Sequence, residues 1–245
     1  MDRKYISSLI LREEIDNASY LSHLPAIKYL VENEEISFTK DVTFFVGENG
    51  SGKSTLLEAI AVAYGFNAEG GSKNFNFATS NTHSDLYKHL TLSKESFAKD
   101  GFFLRAESFY NVATSVDELD EGTSTLLESY GGISLHNQSH GESFLSLVQN
   151  RFRGNGLYIL DEPESALSPS RLFTLMIEIN NLLKKNSQFI IATHSPILLA
   201  FPDAQIYQIG DDGIEPTAYK DTEHYSLTKM FLENPDQMLR RLFED

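Results

Sequence analysis

The chain has no cysteine among its 245 residues. That excludes disulfides and any thiolate metal site, and it suits a reducing cytosol. Positive charge is scarce: Lys and Arg total 20 against 35 Asp and Glu, a formal net charge of −15. Such a balance argues against non-specific adhesion to DNA or to an anionic membrane, leaving room only for a local basic groove. Long apolar runs are missing too. The most apolar late stretch, Phe189 to Phe201, is interrupted by Thr193, His194, Ser195 and Pro196. Nothing reaches the roughly 20 apolar residues that span a bilayer. The first residues, Met1-Asp2-Arg3-Lys4-Tyr5, lack the apolar core of a secretory signal. No internal repeat, low-complexity tract or linker divides the chain. A soluble, cytoplasmic protein is expected, with one domain over residues 1–245.

What is present is organised around Val42 to Thr55. Val42–Val46 is a short apolar, β-prone run, and Leu56 to Tyr64 is helix-forming and apolar nearly all round, with Gly65 placed to stop it. Between them lies Gly47-Glu48-Asn49-Gly50-Ser51-Gly52-Lys53-Ser54-Thr55, which fits the phosphate-binding pattern Gly-x-x-x-x-Gly-Lys-Ser between strand and helix. Glycines let the backbone N–H groups turn inward round an anion at a helix N-terminus. Lys53 then supplies a point charge to the β- and γ-phosphates, and the Ser54 hydroxyl a ligand to Mg²⁺.

Further along, strands are expected at Tyr5–Leu11, Glu35–Thr39 and Phe102–Ala106, with a helix opening at Pro25. Residues from Phe66 to Asn81 read as loop. Ser115–Gly132, with its acids and three glycines, reads as an exposed, mobile arm. Ser139 with Glu142 three residues on makes a capping box ahead of the apolar stripe Phe144, Leu147, Val148, Phe152. Leu157-Tyr158-Ile159-Leu160-Asp161-Glu162 is a buried parallel strand that delivers two carboxylates at its C-terminal edge, where α/β sheets bind ligands. Asp161 is suited to hold Mg²⁺ opposite Ser54, and Glu162 to accept a proton from an attacking water. Ser168-Pro169 starts a helix whose core face is assigned to Leu172, Phe173, Leu175, Met176, Ile179, Leu182 and Leu183. The strand Gln188–Thr193 ends in His194, which is in reach of a γ-phosphate. A hairpin at Gln205–Ile214 and helices near Ser226–Leu232 and Pro235–Phe243 close the chain. His136 and His140 are four apart, but the helix begins only at Ser139 and no third metal ligand accompanies them.

Taken in order, Gly47–Ser54, Ser139–Glu142, Leu157–Glu162, Ser165–Ser168 and His194 resemble the motif set of ABC-type (P-loop) ATPase nucleotide-binding domains. Within that superfamily the chain is most similar to small, free-standing, cytosolic bacterial ATPases, through Leu24-Pro25-Ala26, Gly101 to Ser108, Ser139 to Ser143 and Thr193 to Pro196. The resemblance implies an α/β fold of two lobes, a mixed-sheet ATP-binding core plus a helical signature lobe within about residues 66–153. It implies Mg-dependent ATP hydrolysis by a homodimer that sandwiches two ATP molecules. Each would be held by one copy's Gly47–Thr55 loop and the other copy's Ser139, His140, Gly141 and Glu142. By family likeness Ser165–Ser168 crosses that interface and His194 touches the γ-phosphate. The usual signature is Leu-Ser-Gly-Gly-Gln, so His140 and Glu142 are departures. Glu107 stands where transporter relatives carry a Mg²⁺-contacting glutamine, and Tyr20 and Tyr29 are both positioned for an adenine-stacking aromatic. The expected output is a conformational change in an unidentified protein partner. Alternatives are the ATPase subunit of a membrane transporter, a DNA or RNA maintenance or defence ATPase, and an ATP-sensing switch.

Overall fold

The computed structural model describes residues 4–73, 84–106, 108–120 and 125–243. The first part of the chain forms β1 (Ser8–Leu11), α1 (Pro25–Asn33), β2 (Glu35–Ser37), β3 (Val42–Gly47) and α2 (Lys53–Tyr64). Then come α3 (Leu86–His89), β4 (Leu90–Ser93), β5 (Asp100–Arg105), α4 (Phe109–Leu119), α5 (Thr125–Glu128) and α6 (His140–Arg151). The last part holds β6 (Gly156–Asp161), α7 (Pro169–Leu183), β7 (Gln188–Ala192), α8 (Pro196–Leu199), β8 (Gln205–Gly210) and β9 (Gly213–Pro216). Two helices follow, α9 (Glu223–Glu233) and α10 (Pro235–Phe243).

The strands form two sheets. One has the order β5-β6-β7-β3-β8-β9 and is parallel except for the β8–β9 hairpin. The other, β2-β1-β4, is antiparallel. The large sheet is covered on both faces, which is why β3, β6 and β7 are buried throughout and mostly apolar rather than alternating. Their side chains still alternate between two cores. Val42, Phe44, Tyr158, Leu160, Phe189 and Ile191 meet α4, α6, α7 and α8 on one side. Phe45, Leu157, Ile159, Ile190 and Ala192 meet α1, α2 and the small sheet on the other.

Four expectations need correction. The first strand begins at Ser8, not Tyr5. The N–H groups of Tyr5 and Ile6 both donate to the Gln188 side-chain carbonyl at 2.9 Å, and its amide returns a bond to Ile6 O at 2.8 Å. A side chain thus takes the place of a strand partner. Likewise the second strand ends at Ser37, and Thr39 N–H donates to the Gln205 side chain. Ser115–Gly132 is not an exposed arm among its described residues. Phe109, Val112, Ala113 and Val116 recur three and four apart, so α4 buries that face, and Tyr130 is buried behind it. Two of the acids that suggested exposure are used as acceptors: Asp117 takes the Ser134 hydroxyl and Asp120 the Leu127 N–H. Finally, Phe173 is 57% exposed while Leu172, Leu175, Ile179 and Leu182 are buried. One helical step is about 100°, enough to carry Phe173 off the core face. Part of the expected Phe66–Asn81 loop, residues 74–81, lies outside the described residues.

Candidate active site

The loop after β3 starts pressed against β8. A Cβ on Gly47 would stand 2.4 Å from Ile209 O, so no larger residue fits there. Gly52 caps α2 in the left-handed region at φ 98°, a conformation glycine takes without steric cost. Between them Glu48, Asn49 and Gly50 are exposed, and Ser51 is buried with a hydroxyl that makes no hydrogen bond among the described residues. Lys53 is buried, and its Nζ curls across the loop to donate to Gly47 O and Glu48 O, each at 2.8 Å. Burial pushes its ammonium pKa down, against the opposing pull of Glu162, Asp161 and Glu164. Ser54 and Thr55 follow in the first turn of α2, half-buried.

Parallel pairing brings the C-terminal tips of β3, β6 and β7 to one edge. Asp161, the last residue of β6, is buried, and its Oδ1 accepts from Ser54 Oγ at 3.0 Å across 107 residues of sequence. Arg105, at the tip of β5, holds its Nε 3.5 Å from Asp161 Oδ2 and its Nη1 2.8 Å from Glu58 Oε2. Glu162 sits in the left-handed region at φ 50°, ψ 54°. For a non-glycine residue that costs on the order of 1–3 kcal/mol, the kind of local strain found where a side chain must be aimed. Its Oε1 lies 3.4 Å from His194 Nε2. On the far side of that ring, His194 Nδ1 is 3.0 Å from His224 Nε2. The His194 backbone N–H donates to Glu164, whose carboxyl is pushed above its ordinary pKa by burial.

A cleft of about 220 Å³ opens on this edge, lined by Ser54, Ala106, His140, Asp161, Glu162 and Ser165. His140 therefore reaches the cleft of its own chain, where it also meets the Phe109 ring edge-on at 5.4 Å. Ser139, His140 and Glu142 are exposed and Gly141 is buried. Both the N–H and the hydroxyl of Ser139 donate to the Glu142 carboxylate, and Arg171 reaches that carboxylate at 3.1 Å. These bonds, the serine first, hold the Glu142 pKa down. Tyr20 is 61% exposed in the segment leading to α1, whose Ala26 N–H donates to Ser51 O. Tyr29 instead packs on Gly213. His136 is turned onto Tyr110 at 4.4 Å. Glu107 lies outside the described residues.

Arg105, Glu164, Arg171 and His224 were not singled out by sequence. Arg105 sits inside a stretch that was, and Glu164 between two that were, so proximity along the chain was an available signal. His224 belongs to no motif and is brought in only by the packing of α9.

Residues 22–192 match AAA_23, an AAA domain. The chain is 23% identical over 186 residues to the xylose import ATP-binding protein XylG of Moorella thermoacetica, covering 69% of this chain and 37% of that protein. It is 28% identical over 133 residues to structural maintenance of chromosomes protein 6B of Arabidopsis thaliana, covering 54% of this chain and 11% of that one. The chain thus spans little more than a third of the import protein's length. Among solved structures it is similar to a metal-chelate type ABC transporter in an inward-facing conformation, with TM-score 0.50 and 13% identity over 93% of this chain and 89% of that one. No described helix is long and apolar enough to cross a membrane. The chain belongs to the AAA_23 family of AAA domains, and its fold is that of an ABC-type P-loop ATPase domain.

Proposed function

We propose that the cleft at the β3–β6–β7 edge binds ATP with Mg²⁺ and hydrolyses it. The observation that carries this reading is the 3.0 Å bond from Ser54 to Asp161, which brings the loop and the carboxylate strand within reach of one metal–nucleotide complex. Ser54 and Asp161 offer a hydroxyl and a carboxylate, the hard oxygen donors that suit Mg²⁺. When bound, the ion would neutralise charge on the β- and γ-phosphates. The N–H groups of Gly47–Thr55 cradle those phosphates, and Lys53 exchanges its two carbonyl partners for phosphate oxygens. Glu162, aimed by its strained backbone, takes a proton from the attacking water, and His194 presents an N–H to the γ-phosphate. Tyr20, exposed in the segment leading to α1, stacks on adenine in preference to the packed Tyr29.

Residues 1–245 act as one domain whose helical lobe, within 66–153, carries the signature. Exposure of Ser139 and Glu142 supports their use by a second copy, so that two ATP molecules are sandwiched in a cytoplasmic homodimer, while His140 serves the cleft of its own chain. The net charge of −15 favours a protein partner over nucleic acid as the recipient of the resulting motion. Glu162→Gln keeps the shape of the side chain but removes the base. Turnover should fall by about 100-fold or more, while binding of a fluorescent ATP analogue persists. Equal turnover in variant and parent would take the base role from Glu162. Stimulation by DNA that collapses with added salt would reassign the partner to nucleic acid.

A further inference from the structure

Resting on the reading of the cleft as an ATP site, we propose that His224 is a positioning residue that fixes which nitrogen of His194 carries its hydrogen. Two contacts meet on the His194 ring. Nε2 is 3.4 Å from a Glu162 carboxylate oxygen, and Nδ1 is 3.0 Å from His224 Nε2. A carboxylate only accepts, so hydrogen at His194 Nε2 is the arrangement that faces Glu162 without repulsion. Nδ1 then carries the lone pair and must accept, which requires His224 to hold its hydrogen at Nε2. The opposite arrangement would turn a bare Nε2 toward the carboxylate and leave nothing to donate to a phosphate.

His224 is built to stay in that form. Its own Nδ1 is buried with no hydrogen-bond partner among the described residues, so no acceptor there competes for the hydrogen that Nε2 needs. Burial first, and His194 second, push its imidazole pKa down, which favours the neutral ring. The other charges it feels are Glu223, Lys53 and Glu48. Its place on α9 is fixed even though that helix buries none of its own residues. Thr222 is fully buried, accepts from Tyr225 N–H and donates to Tyr219 O. The Tyr219 and Tyr225 rings meet at 4.7 Å. The first turn of α9 is thereby anchored while the rest stays exposed. This is the outer partner of a working imidazole, of the kind that sets ring orientation and tautomer.

The test compares the wild type with His224→Ala and with His224→Gln, whose side-chain amide keeps a donor. Nitrogen-15 NMR on histidine-labelled protein reads the His194 tautomer directly. Wild type should show hydrogen at Nε2, His224→Ala should lose that preference, and His224→Gln should restore it. Steady-state kinetics should show kcat about tenfold lower in His224→Ala, with KM for ATP unchanged, and recovery in the glutamine variant. An unchanged His194 signal in His224→Ala overturns the inference, as does an unchanged kcat. Should the alanine variant fail to fold, loss of the Nε2–H form in His224→Gln overturns it equally. A wild-type protein that binds no ATP analogue removes the site reading instead, and the tautomer shift would still report the positioning.

Discussion

Glu164 is a carboxyl held out of water, with one oxygen on the His194 N–H and the Thr193 hydroxyl beside it. Burial raises its pKa from 4.5, so the folded chain binds its proton more tightly than the unfolded chain does. The stability this confers is present below the ordinary carboxylate value and lost as pH climbs through the raised one. Glu164→Gln keeps the acceptor for His194 and removes the charge. Its thermal midpoint should therefore gain on the parent as pH rises from 4 to 8, and a constant difference across that range would contradict the burial argument. At this scale the sequence was legible where position and chemistry coincide. Asp161 ends an apolar run and Lys53 follows a glycine loop, so each had to arrive at a strand's C-terminal edge. His224 and Arg105 were not legible in this way, because their partners are chosen by which elements pack together and no spacing announces that.

Helices and strands depend on polar clasps as well as apolar faces. Tyr158 OH donates to Asp100 at 2.8 Å and accepts from Arg153 N–H and Gly154 N–H, each at 3.1 Å, while Arg151 pairs with Asp100 at 2.7 Å. The start of β5, the end of α6 and the turn into β6 are thus pinned at the edge away from the cleft. Burial and Asp100 raise the phenol pKa, so the hydroxyl stays a donor. Tyr158→Phe should cost about 1–3 kcal/mol, chiefly by leaving the buried Gly154 N–H without its acceptor, since Arg153 N–H and Arg151 still reach Asp100. That corresponds to a drop of a few degrees in Tm at this chain length, with ATP turnover at 25 °C unchanged. A calorimetric scan and an activity assay on one preparation check both halves. Core strands such as β3, β6 and β7 were legible from their apolar runs. The helix α4 was not, because Asp117 and Asp120 look like solvated acids until their partners Ser134 and Leu127 are in place. The extent of β1 was also hidden, since Gln188 replaces a strand that a linear pattern presumes.

For the whole molecule the sequence already implied a sheet with ligands at one edge. It did not say which face each helix would cover, and the two cores settle that. If the exposed start of the signature helix of one copy closes on the loop of another, Glu162→Gln with saturating ATP and Mg²⁺ should sediment as a dimer, and without nucleotide as a monomer. Each copy carries −15, so moderate salt should strengthen the association by screening repulsion. A monomer at every salt and nucleotide concentration would remove the sandwich. The strand order has another consequence. β3 lies between β7 and β8, which leave the ribosome only after most of the chain has been made. At the usual ~5–20 residues per second, the glycine loop is translated on the order of ten seconds before its strand has a neighbour on either side. A chain stopped short of β7 therefore holds the glycine loop on a strand with neither of its neighbours, and the loop's setting is completed late, first by β7 and then by β8.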